Sequence, residues 1–141
     1  MRAESPEMGA LQDFLGDAHQ LLGRAQECVQ HFQLIGEDAD ASDCLMATLV
    51  TLRERAQTLA QVQIAGFAGQ LLDRLEPADR RNRLHGKALG IVEACLSLLA
   101  WQVELTDPYS GPLDLDTEEQ DELLEHLDKA LAPAGSPVEN A

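Results

Sequence analysis

Four apolar residues, Leu11, Ala18, Ala25 and Phe32, recur every seven positions near the start of the chain, and Phe14/Leu15, Leu21/Leu22 and Cys28/Val29 fill the intervals. A seven-residue recurrence returns to one side of an α-helix after two turns. A strand, with its period of two, would scatter the same residues over both faces. The stretch therefore predicts one long amphipathic helix, from about Met8 to Ile35, with a single side to bury. Such a helix draws its stability from packing on other helices. Composition points the same way. Hydrophobic residues make up 45% of the chain but aromatics only 4%, so the core is built from Leu, Ala, Val and Ile. Leu and Ala are strong helix formers, and the residues that favour strands are sparse.

The remaining sequence supplies the partners. "EDADASD" is a polar connection in which Ser42 or Asp43 is the expected cap of a second helix. That helix carries Leu45, Thr48/Leu49, Leu52, Ala56 and Leu59 on one face, and a third carries Ile64, Phe67/Ala68, Leu71/Leu72 and Leu75. The two are either one bent helix or a pair with a turn near Ala60 to Gln63. Pro77 is expected to end the third helix, because the residue before a proline is pushed out of the α region. A fourth helix is expected from about Arg83 to Leu105. "TDPYSGPLDLD" breaks the chain, and a fifth helix follows, capped by Asp116 or Thr117 with Glu119 or Gln120 completing a capping box. Gly16 and Gly23 interrupt the first helix and are expected to let another helix approach closely.

The predicted architecture is all-α: an antiparallel four-helix bundle with an additional short C-terminal helix. Its 141 residues suffice for one domain with a real core. Residues 8–132 form the bundle, residues 1–7 a flexible N-terminus and residues 133–141 a disordered tail.

Charge and cysteine usage narrow the function classes. A formal net charge of −15 opposes nucleic acid and anionic membrane surfaces, and favours basic protein surfaces. No apolar run is expected to span a membrane, and "MRAESPEMGA" lacks the apolar core of a signal peptide, so the expected location is cytoplasmic. Cys28, Cys44 and Cys95 lie far apart at apolar helical positions, without metal-ligand spacing. They are expected to be buried thiols. No phosphate loop, HExxH or CxxC motif is present, and Glu93, the one acid in the apolar middle of the fourth helix, is not followed by a His three residues on. Neither a metal nor a cofactor is expected.

His19, His31 and His126 fall off the apolar seams and read as surface imidazoles. His85, in "RRNRLHGKALG", stands beside the basic cluster Arg80, Arg81, Arg83 and Lys87. Cations at a helix N-terminus are opposed by the helix dipole. The cluster is therefore a secondary candidate surface, offset by pairing with the acidic C-terminal segment or by an acidic partner.

Helix order and short matches together resemble the histidine phosphotransfer (HPt) domains, in particular the N-terminal domain of CheA-type chemotaxis kinases. "LQDFLGDAHQLLGRAQECV" is similar to that family's first helix, and "AGFAGQLLDRLE" to its third. The resemblance covers roughly Met8 to Ala132. In the family, the second helix carries a reactive His followed by Thr or Ser, Leu, Lys, Gly and a small residue. Aligned here, Val50 takes the His position, followed by Thr51, Leu52, Arg53, Glu54, Arg55 and Ala56. No His occurs between Phe32 and Leu84. Phosphotransfer requires an exposed neutral imidazole to attack phosphorus, and Val50 offers no nucleophile. The resemblance therefore implies a pseudo-HPt module, not an enzyme, that docks a receiver domain, a histidine kinase or a motility regulator through Val50, Arg53, Glu54, Arg55 and Gln57. The alternatives are a helical export chaperone or structural adaptor, and a true phosphotransferase using His85.

Overall fold

A computed structural model describes residues 6–35, 39–81, 84, 86–106 and 116–132. Among them are five helices and no strand: α1 (Pro6–Ile35), α2 (Ala39–Thr58), α3 (Val62–Arg80), α4 (Lys87–Leu105) and α5 (Glu118–Leu131). α1 packs on α2 and α4, α2 packs on α3, and α3 meets α4, which closes a four-membered ring. The short connections within that ring make sequential neighbours antiparallel. α5 lies on α4 and, less extensively, on α3. Phe14, Leu22, Leu49, Phe67, Leu71 and Leu96 are fully buried inside the ring, and Leu124 and Leu127 attach α5 to the same core.

The helix ends depart from the sequence expectations in instructive ways. α1 begins at Pro6 instead of Met8, since a proline is well tolerated in a first turn whose N–H groups have no helical acceptors. α2 begins at Ala39, so Ser42 is not its cap. Ser42 is buried within the helix and its hydroxyl donates to Asp79 Oδ1 at 2.6 Å, tying the start of α2 to the end of α3. α2 and α3 are separate helices. α2 ends in a Schellman turn: the Gln61 N–H donates to Ala56 O at 2.8 Å and the Ala60 N–H to Gln57 O at 3.1 Å. Ala60 sits in the left-handed region at φ 58°, a place usually taken by Gly.

Pro77 does not end α3. It lies inside the helix, which continues to Arg80. Pro77 lacks the N–H that would bond Asp73 O, but the chain stays helical past it, and the Arg81 N–H reaches Pro77 O at 3.1 Å and Ala78 O at 3.2 Å. α4 begins at Lys87, after Gly86 at φ 60°, and not near Arg83. Gly16 and Gly23 do not mediate a close helix approach, because a Cβ built on either meets nothing within 4 Å. At α5 no capping box forms. The Glu118 N–H donates to Asp116 Oδ1 at 3.0 Å, and Gln120 turns inward.

α4 also corrects the expectation that no segment is apolar enough to cross a membrane. It is long and apolar enough by length and composition, with a mean hydropathy of 1.5. Its inward residues, among them Leu89, Val92, Cys95, Leu96 and Leu99, are core of the bundle. The tail at 133–141 lies outside the described residues.

Candidate functional site

The outer surface of α2 carries the residues singled out by the sequence. Val50 is half-buried and packs against the core, while Glu54 and Gln57 are exposed. The two arginines diverge. Arg53 leans toward α3, where its Cδ would stand 3.4 Å from a Cβ placed on Gly69. Gly69 thus leaves room for the aliphatic stem of Arg53 to cross the α2–α3 seam. Arg55 turns the other way, with Nη2 2.7 Å from Asp17 Oδ2 of α1. The five residues thus reach from Asp17 of α1 across α2 to Gly69 of α3.

The chemistry of this surface is limited. The Thr51 hydroxyl donates to Ala47 O at 3.0 Å and the Thr58 hydroxyl to Glu54 O at 2.9 Å, so both are folded back on their own helix. α2 and α3 contain no histidine. Among the described residues no group of three His, Cys, Asp or Glu side chains is placed to hold a metal ion. Two thiols are held neutral. Burial pushes Cys95 up to about 12 from 9.0. Burial, followed by the neighbouring Cys44 thiol, pushes Cys28 up to about 12. Cys44 is only half-buried, contrary to the expectation of three buried thiols, with Sγ 4.0 Å from Thr48 Oγ1. Neither Cys28 nor Cys95 is an activated nucleophile, because the reactive form is the thiolate.

The secondary basic patch separates into parts. Arg80 belongs to the last turn of α3, where the negative end of the dipole favours a cation. Arg81 follows it, exposed. Among the described residues of the cluster, Lys87 stands at a helix N-terminus, the first residue of α4, where it lines a groove with Ile91, His126 and Lys129. Arg83 and His85 lie outside the described residues. The acidic C-terminal helix pairs with an arginine the sequence did not mark: Arg74 Nε of α3 donates to Asp128 Oδ1 at 2.8 Å.

Two features escaped the sequence reading. One is a chain of amides across three helices. Gln102 Nε2 of α4 donates to Gln120 Oε1 of α5 at 3.2 Å, and Gln120 Nε2 donates to Gln70 Oε1 of α3 at 3.3 Å. Gln102 and Gln120 are buried. A signal for them exists only in retrospect, as glutamines at otherwise apolar helical positions. The other is the groove between α4 and α5, with Trp101 half exposed along it. The described residues form an all-helical bundle with a polar outer face on α2 and a groove between α4 and α5. No family model, no curated protein and no solved structure matches the chain.

Proposed function

We propose that the chain is a non-catalytic, HPt-like interaction module of two-component or chemotaxis and motility signalling. It docks a receiver domain, a histidine kinase or a motility regulator on the outer face of α2 without relaying a phosphoryl group. The observation that carries the reading is the make-up of that face. Val50, a hydrocarbon, occupies the position that the family resemblance gives to the nucleophile, and Arg53, Glu54, Arg55 and Gln57 surround it at the surface of a closed bundle. Arg53 and Arg55 attract an acidic receiver pocket, while Glu54 stands where the family has the clearance of a glycine. A surface of this kind favours specificity and association rate through its charges.

The test is to incubate the protein with a histidine kinase and ATP, and separately with acetyl-phosphate-charged receiver domains, while measuring receiver binding by calorimetry. The expected result is binding without label on the protein, weakened at least about tenfold by Arg53→Glu, a loss of the size found for interface residues that matter. Acid-labile phosphohistidine on the protein, or capture of export substrates in place of receivers and kinases, overturns the reading.

A further inference from the structure

α4 presents a second seam on its outer side. Ile91, Ala94, Leu98, Trp101 and Leu105 follow one another in steps of three and four, the spacing of a coiled-coil stripe. Trp101 is 50% exposed and Leu105 42%, although both are large and apolar. The adjoining edge of α5 repeats the spacing with Glu119, Leu123, His126 and Ala130. The two edges enclose a groove with an apolar floor, formed by Leu98, Trp101 and Leu123.

The groove is electrically polarised. At the Trp101 end it is lined by Asp116, Glu118, Glu119 and Glu122, with no cation among the described lining residues. At the Ile91 end it is lined by Lys87, Lys129 and His126. We propose that this groove is the interface of a homodimer, covered by a second copy of the chain related by a two-fold axis at the level of Ala94 and Leu98. An antiparallel arrangement of the two α4 helices about that axis sets Ala94 against the partner's Leu98, small against large. It sets Trp101 against the partner's Ile91. The same operation brings each copy's carboxylate end over the other's lysine end. One register therefore satisfies shape and charge together, as a self-complementary two-fold interface requires. The like net charge of −15 on each copy opposes approach. At about 0.15 M salt the Debye length is about 8 Å, so this long-range repulsion is screened, while pairs in contact across the groove are not. The inference is independent of the docking proposed for α2, which lies on another face.

The experiment is sedimentation velocity over a concentration series at that ionic strength, with emission from Trp101, the single tryptophan, followed on dilution. A dimer whose dissociation shifts the emission to the red is expected. Trp101→Glu is expected to weaken it on the order of thirtyfold, the factor of an interface hot spot, with circular dichroism unchanged because the residue is half exposed. Glu119→Lys/Glu122→Lys and Lys87→Glu/Lys129→Glu are each expected to be monomeric, and their mixture to form a heterodimer. A protein that stays monomeric, a dimer indifferent to Trp101→Glu, or charge variants that fail to pair when mixed overturns the proposal.

Discussion

The outer face of α2 and the groove between α4 and α5 are made in opposite ways. α2 contacts α1 and α3 and, among the described residues, neither α4 nor α5, so the two surfaces lie on different sides of the ring. On α2 the surface side chains are largely engaged with their own fold. Arg55 pairs with Asp17, Arg53 lies over Gly69, and both threonine hydroxyls bond their own helix. The apolar residue of the proposed site, Val50, is half-buried. On α4 the reverse holds, with Trp101 and Leu105 exposed in line. Single exposed apolar residues such as Leu34 and Val62 are ordinary, whereas a lined-up pair beside a groove marks a surface that gains from being covered. The face identified by motif is chemically quiet. The face without a motif carries the unburied hydrophobic area.

Phe67→Ala removes the distinction altogether. Phe67 is fully buried in α3, at the centre of the core both faces share. Truncation is expected to destabilise the bundle by about 3–5 kcal/mol, the usual range for a buried aromatic, read by urea denaturation, with both surfaces lost in one transition. A smaller effect separates the α4 side by pH. The pKa of Cys95 is raised from 9.0 to about 12 by burial, so the folded protein holds a proton that the unfolded chain releases above 9.0. The stabilisation is whole below pH 9 and is lost as pH rises from 9 toward 12. Stability against pH in this window should fall more steeply for the wild type than for Cys95→Ala; parallel profiles would contradict the burial of the thiol.

Next in size is Gln120→Ala, which addresses α5 alone. It breaks both amide bonds and leaves the Gln102 Nε2 without its acceptor in a buried site whose Oε1 has no partner among the described residues. The expected loss is about 1–3 kcal/mol, the cost of stranding a buried polar group. Hydrogen exchange should show α5 opening first while α2 and α3 keep their protection. Equal loosening of all five helices would show that the amide chain does not hold α5 specifically.

Much of the bundle was legible because one-sided apolar spacing records burial directly. Phe14, Ala18, Leu22, Ala25 and Val29 of α1 are all buried as their spacing predicts. Helix ends were less legible, since a cap is a local choice that tertiary contacts override. Ser42 has the chemistry of a cap, but α2 starts three residues earlier, and inside it the Ser42 hydroxyl donates to Asp79, distant in sequence. Pro77 has the chemistry of a stop, yet the helix runs on through it to Arg80, with Ala78 buried. The candidate surface was legible as positions but not as directions. Nothing in "TLRER" says that the first arginine turns to α3 and the next to α1. The α4 groove was hidden for a related reason: Trp101 has the same helical spacing as the core, and only packing reveals which apolar positions stay exposed.

The smallest expected effect comes from the turn that sets α2 against α3. Ala60 adopts φ 58°, and Gln61 and Ala60 complete the Schellman bonds to Ala56 and Gln57. For a residue with a Cβ this backbone costs about 1–2 kcal/mol. Glycine avoids that strain but makes the unfolded chain more flexible, which returns about 0.4–1 kcal/mol to the unfolded state. The balance favours Ala60→Gly by roughly 0.5–1 kcal/mol. The gain should appear as a higher urea midpoint at unchanged slope, and as added exchange protection at the end of α2 with none in α5. A neutral or destabilising outcome would mean that the α2 terminus is held by its packing and not by the turn, and that the two faces are coupled more tightly than their separation in the ring implies.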